Sequence, residues 1–184
     1  LKSNDKQTAI ELLKSVEGVY FPGESVKKQP AALTEVIYTP VMSAKSYFKD
    51  TFIIEVARGC MNRCAFCTAS YLNLPFRSYE YEKIIETIDF GLSHTNRIAL
   101  LGAQISAHPN FDAIMNYLRC KMEAGQKIEL GISSLRTDSV TSDMVQTLVM
   151  GGQKHSTIAI EAASERLRKF INKNLKEEQI LKAV

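Results

Sequence analysis

No run of eighteen apolar residues occurs anywhere in the 184-residue chain, so no membrane-spanning helix is readable. The amino end, Leu1-Lys-Ser-Asn-Asp-Lys-Gln, has no apolar centre of the kind that marks a secretory leader. It also lacks a starting methionine, the mark of a fragment or a processed product. Charge of one sign is scarce: 23 Lys and Arg against 20 Asp and Glu leave a net +3, too little to argue for nucleic acid. Cysteine is scarce too. Of four, three crowd together and only Cys120 lies elsewhere. A disulfide framework needs partner cysteines at a distance and fits badly; a reducing, cytoplasmic setting fits. What remains is an ordinary globular composition, 45% hydrophobic, in a chain long enough for one sizeable core.

The crowded cysteines are Cys60, Cys64 and Cys67, in the run Glu55-Val-Ala-Arg-Gly-Cys-Met-Asn-Arg-Cys-Ala-Phe-Cys67. The spacing is C-x3-C-x2-C, with Phe66 just before the last cysteine. Three thiolates this close in sequence can converge on one soft metal centre. Four would close a zinc or iron site, whereas three leave a coordination position open for chemistry. The alternative is a zinc site completed by His94 or His155, although a C-x3-C-x2-C run is unusual for zinc, whose cysteines generally come as C-x2-4-C pairs.

Around this loop the hydrophobic pattern alternates between two periods. Residues 5–17 have helical spacing at Ile10, Leu12, Leu13 and Val16, with Asn4 or Asp5 as cap. Residues 18–50 are broken by Pro22-Gly23, Pro30 and Pro40, with Leu33–Tyr38 as a candidate short strand. We divide the chain into an N-terminal helix and extended lead-in, 1–50, and a core, 51–184. The core reads as strands at 52–57, 97–101, 127–133 and 156–160, alternating with helices at 79–94, 110–124, 141–150, 164–172 and 176–184. Such alternation argues for a parallel sheet with helical crossovers, whose active face is the carboxyl ends of the strands. The cysteine loop, Gly102-Ala-Gln104, Ser134-Leu-Arg136 and Glu161 all leave strands at that end. Four units cannot close an eight-fold barrel, so either the sheet is open or the protein continues past Val184.

Residues 52–67 resemble the signature of the radical S-adenosylmethionine (SAM) superfamily, through Cys60-x3-Cys64-x-Phe66-Cys67 on a loop after a first strand. The run from Glu55 to Cys60 is similar to the subgroup often joined to a cobalamin-binding domain, and to methylthiotransferase-like enzymes. The resemblance implies an α/β fold, a partial (β/α)6-type radical SAM barrel of which about four βα units are present, with an irregular and helical N-terminal extension. It implies a [4Fe–4S] cluster on Cys60, Cys64 and Cys67, with SAM chelating the fourth iron. Reductive cleavage of SAM to a 5′-deoxyadenosyl radical, then hydrogen abstraction or group transfer, would follow.

The same resemblance implies SAM contacts from Phe66 beside adenine and from the turn Gly102, Ala103 and Gln104, where the family's usual acidic residue is missing. It further implies contacts from Ser134 and Arg136 after the third strand, from Glu161 after the fourth, and from Lys173 or its rival Arg168 at the SAM carboxylate. A flavodoxin- or ferredoxin-type reductant would supply the electron. Cobalamin would enter only through a domain outside these residues, and no second cysteine group exists here for an auxiliary cluster. Nucleic acid binding is not expected of this chain alone.

Each assignment has a structural alternative. The triad can serve a metal-binding scaffold without turnover, or an RNA-modifying methylthiotransferase-like subunit. Arg136 can pair with Asp138, and Glu161 with Arg166 or Lys169. Lys173 can belong to a solvated basic face. Cys120 is expected to be a small buried hydrophobe, His108 an exposed loop residue, and His94 a helix-end charge. Tyr71 and Tyr79 are expected to pack in the core or rim. Arg58 and Arg63 flank the triad, where they can tune a cluster or merely aid solubility.

Overall fold

The structure is a computed structural model that describes residues 5–133 and 135–184. The chain divides into two compact units at Ala32/Leu33. The first holds α1 (Lys6–Lys14), started by Asp5, whose carboxylate accepts the Thr8 backbone N–H at 2.9 Å. Among the described residues no helix is long and apolar enough to cross a membrane.

The second unit is α/β. Its strands are β1 (Phe52–Glu55), β2 (Ala57–Arg58), β3 (Arg77–Ser78), β4 (Arg97–Leu101) and β5 (Glu129–Ile132). Its helices are α2 (Thr68–Leu72), α3 (Tyr81–Leu92), α4 (Phe111–Glu123), α5 (Ser142–Met150), α6 (Glu165–Phe170) and α7 (Glu177–Ala183). Strands β1, β4 and β5 form a parallel sheet in the order β1-β4-β5, in register at Ile54↔Leu100 and Ile98↔Leu130. The period of two decides the faces. Phe52, Ile54, Ile98, Leu100 and Leu130 are buried together with Ile84 and Ile88 of α3 and Ile114 and Leu118 of α4. Each such side chain contributes roughly 1.5–3 kcal/mol on burial. The opposite face, with Ile53, Ala99, Leu101 and Gly131, lines an open cavity of about 820 Å³.

Among the described residues the strands do not close a barrel. The expected fourth strand, 156–160, is reduced to a single parallel bridge between Leu135 and Ile158. The free edge of β5 explains the reduction. Leu130 N–H already donates to Gly151 O at 2.8 Å, and Ile132 N–H to the side chain of Gln153 at 2.9 Å, so those ladder positions are taken. On the other edge Tyr38 bridges Ile54 in antiparallel sense and stacks on Phe52, so the segment from Leu33 packs on the sheet.

Three elements had no clear sequence signal. Strands β2 and β3 pair antiparallel, Ala57↔Ser78 and Arg58↔Arg77, and close the cysteine loop at its base. Helix α2 begins directly after Cys67. Two expectations are corrected. Cys120 is exposed, because α4 buries the stripe Phe111, Ile114, Met115 and Leu118, and Cys120 lies off it. His108 is buried: its Nδ1 accepts from Asn110 N–H at 3.0 Å, so its Nε2–H donates to Tyr79 O at 2.9 Å.

Candidate functional site

The cysteine loop leaves the carboxyl end of β1 through β2, and its geometry depends on Gly59. That residue has φ +85°, and an added Cβ would lie 2.3 Å from Asn73 O and 2.9 Å from Pro75 O. Only glycine permits both the left-handed backbone and the close approach of the returning strand. The loop is also tied to the segment after α6. Ala65 N–H donates to Ile171 O at 2.9 Å, and Asn172 Nδ2 donates to Arg63 O at 2.8 Å. Residues more than a hundred positions apart therefore shape one rim.

Each cysteine has its own surroundings. Cys60 Sγ donates to Gln104 Oε1 at 3.1 Å and lies 3.4 Å from the Asn62 backbone N–H. Cys64 is buried, which pushes its thiol up, while Lys173 and Arg136 pull it back down. Cys67 caps α2, and its thiol is lowered, chiefly by the Ser70 side chain and then by backbone N–H groups of that first turn. Asn62 and Ser70 escaped the sequence reading. Asn62 sits inside the cysteine motif, where its amide was the available signal; Ser70 had none.

The remaining candidates divide between the rim and the interior. Gly102 has no space for a side chain: a Cβ would lie 2.9 Å from Ala57 O and 3.0 Å from Ile105 Cγ2. This fixes the turn that carries Ala103 and Gln104, and Ser133 Oγ donates to Gly102 O at 3.4 Å across the rim. Glu161, with φ +69°, pairs with the buried Lys173 at 3.1 Å. That pairing, rather than one with Arg166 or Lys169, is its structural role. Arg136 forms a bidentate pair with Asp138 at 3.0 and 2.9 Å, and also donates to Lys173 O at 3.3 Å. Arg168 turns into the chain and donates to the carbonyls of Leu175, Ala162 and Ala163 at 2.7, 2.9 and 2.6 Å. Phe66 is exposed beside the cysteines. Ser134 lies outside the described residues.

Beside this rim, Glu55 grips Arg58 Nε at 2.8 Å and accepts from the buried Tyr79 hydroxyl at 3.2 Å, which anchors β2. Burial pushes the Tyr79 phenol up, and the neighbouring Glu55 carboxylate adds to it. Arg63 is exposed, and Tyr71 is exposed with its hydroxyl on Arg63 O.

Among the described residues no three Cys, His, Asp or Glu side chains group as a single metal ion requires. The histidines offered as a fourth zinc ligand stand at the amino ends of the strands. His94 follows α3 with its Nδ1 on Phe90 O at 2.8 Å, and His155 precedes the Ile158 bridge. Three thiols on one loop, with a cation whose charge bears on the buried one, fit an iron–sulfur cluster with one open iron.

Residues 54–184 match the Radical SAM superfamily. The chain is 32% identical over 178 residues to Uncharacterized protein MJ0966 of Methanocaldococcus jannaschii, covering 92% of this chain and 38% of that protein. It is 24% identical over 154 residues to a tRNA-2-methylthio-N(6)-dimethylallyladenosine synthase of Chlorobium phaeobacteroides, covering 80% and 34%. It is 21% identical over 140 residues to the ribosomal protein uS12 methylthiotransferase RimO of Protochlamydia amoebophila, covering 71% and 30%. The chain thus spans 30% to 38% of the length of these three relatives.

Proposed function

The chain belongs to the radical SAM superfamily, and from that premise we propose that it is the SAM-binding core of an enzyme whose [4Fe–4S] cluster rests on Cys60, Cys64 and Cys67. The observation that carries this reading is the convergence of the cysteine loop, the Gly102–Gln104 turn, Arg136 and the Glu161–Lys173 pair on one rim of a parallel sheet. When bound, cluster and SAM together supply a one-electron cleavage of the SAM sulfonium and a 5′-deoxyadenosyl radical that takes hydrogen from substrate.

The chain's own residues do the holding and the shielding. Gly59 and Gly102 let the backbone approach closely enough to shape the cluster loop and the neighbouring turn. Lys173, buried and anchored by Glu161, is the cation we assign to the SAM carboxylate; Arg168 is already committed to three backbone carbonyls. Arg136 sits beside it through Lys173 O. Phe66, exposed at the loop, provides an apolar surface for adenine. Ala103 and Gln104 border the amino group, and Ser134 remains a candidate for the ribose. The electron is drawn from a flavodoxin- or ferredoxin-type partner, with Arg63 as the exposed cation beside the loop.

Methylthio transfer is the outcome we favour within the superfamily, because two of the relatives above bear that activity in their names.

The test is anaerobic reconstitution of the chain with iron and sulfide, followed by dithionite and SAM, with 5′-deoxyadenosine read by mass. Product that disappears in Cys60→Ala, Cys64→Ala and Cys67→Ala supports the reading. Zinc in place of iron, with no product, sinks it in favour of a metal-binding scaffold.

A further inference from the structure

Asn62 lies between a cluster cysteine and the turn after β4, and its amide is held from both sides. Its Nδ2 donates to Gln104 Oε1 at 2.8 Å and lies 3.8 Å from Cys60 Sγ. Its backbone N–H is 3.4 Å from the same sulfur. Gln104 in turn is placed by the tight Gly102 turn and by the single helical turn that starts after it, where Ala107 N–H donates to Gln104 O at 3.1 Å. The amide is therefore not a swinging surface group. It is fixed by an acceptor 42 positions away in the chain.

We propose that Asn62, held by Gln104, is a positioning residue that sets the reduction potential of the cluster through the sulfur of Cys60. The inference rests on the radical SAM reading above. In the metal-free thiol, Cys60 Sγ–H donates to Gln104 Oε1. On ligation to iron that hydrogen is lost, the sulfur becomes an acceptor only, and Gln104 Oε1 keeps Asn62 as its donor. Two N–H groups of Asn62 then face the ligand sulfur. Hydrogen bonds donated to a cluster sulfur withdraw electron density and stabilise the reduced state, which raises the potential.

The other two cysteines are served differently: Cys64 by the cations Lys173 and Arg136, Cys67 by Ser70 and the α2 backbone. The contact to Cys60 is the one built from neutral side-chain amides. It can be removed without altering the charge around the cluster, so a changed potential reports the lost donor rather than a changed Coulomb field.

The experiment is an EPR-monitored redox titration of the reconstituted chain, with iron and sulfide measured on every sample. Asn62→Ala is expected to load fully and to titrate at a lower potential than the wild type. Asn62→Leu, close in size, neutral and without a donor, is expected to fall likewise. An unchanged or higher potential in a fully loaded Asn62→Ala protein overturns the proposal. If Asn62→Ala does not take up iron, Asn62→Leu is read by the same criterion; if neither loads, the side chain serves assembly and the potential-setting role is overturned. A wild-type chain that takes up no cluster is a different result: it removes the radical SAM reading itself.

Discussion

The Lys173 ammonium stands 3.1 Å from Glu161 Oε1, and the pair is unequal: the lysine side chain is 8% exposed and the glutamate side chain 31%. The inequality decides which half matters more. Water reaches the carboxylate if its partner is lost, whereas it does not reach the ammonium.

Removing the carboxylate should therefore cost more than removing the cation. Glu161→Gln leaves a buried positive charge facing a neutral amide, at a cost of about 2 kcal/mol, below the usual range for a fully buried pair because glutamate is partly solvated. Lys173→Met leaves a carboxylate that water can solvate and an apolar stem that still packs, at a cost under about 1 kcal/mol. Urea unfolding of the metal-free chain measures both. A larger loss for Lys173→Met would contradict the argument.

Gly59 is expected to be irreplaceable where Gly152 is not. Both have positive φ, +85° and +78°, but a Cβ at Gly152 meets nothing within 4 Å whereas one at Gly59 overlaps Asn73 O. Gly152→Ala should cost about 1 kcal/mol of backbone strain. Gly59→Ala adds a backbone clash, should cost at least about 3 kcal/mol, and should abolish iron uptake. Thermal melts with iron analysis check the contrast; equal behaviour of the two variants would refute it.

Arg168 should prove to be a clasp for the chain. Its guanidinium satisfies three backbone carbonyls while being 2% exposed. Arg168→Lys keeps the charge but cannot reproduce the fork, and should lose about 2–4 kcal/mol in metal-free protein, before any SAM is added. If melts of wild type and variant coincide and only SAM affinity falls, Arg168 is a ligand instead.

His108 supplies a pH dependence. Burial lowers its imidazole below the ordinary 6.5. The unfolded chain thus takes up this proton first as pH falls, and the contribution of His108 to stability is lost as pH drops below about 6.5 toward the folded value. Tm followed from pH 7.5 down to pH 5 should fall more steeply for wild type than for His108→Gln. Parallel profiles would show that another group governs the slope.

Much of this molecule was legible because its signals are local. The helical spacing of α4 and the short apolar runs of β1 and β4 lie within a few residues, and burial of those segments is what they specify. The reading failed where a residue's role depended on a distant partner. His108 carries no mark of burial; it is enclosed because Tyr79 O and Asn110 N–H meet its two nitrogens. Cys120 looked like a core residue by type, but its helix turned another stripe inward. The fourth strand had the right composition, yet its neighbour's edge was occupied by Gly151 and Gln153.

The sequence by itself determined the three-thiol spacing, the glycine before it, the order of strand and helix, and through these the superfamily. These properties follow from covalent spacing and from hydrophobic periodicity, which act within a few residues. Only the tertiary structure decided that the charge of Lys173 bears on Cys64 while Arg168 turns inward, that β3 closes the loop of β2, and that Asn62 is pinned to Gln104. The hydrogen-bonded pairs among these lie from 5 to 42 positions apart. Packing brings such groups into hydrogen-bond range, and no local pattern in the chain encodes which of them will meet.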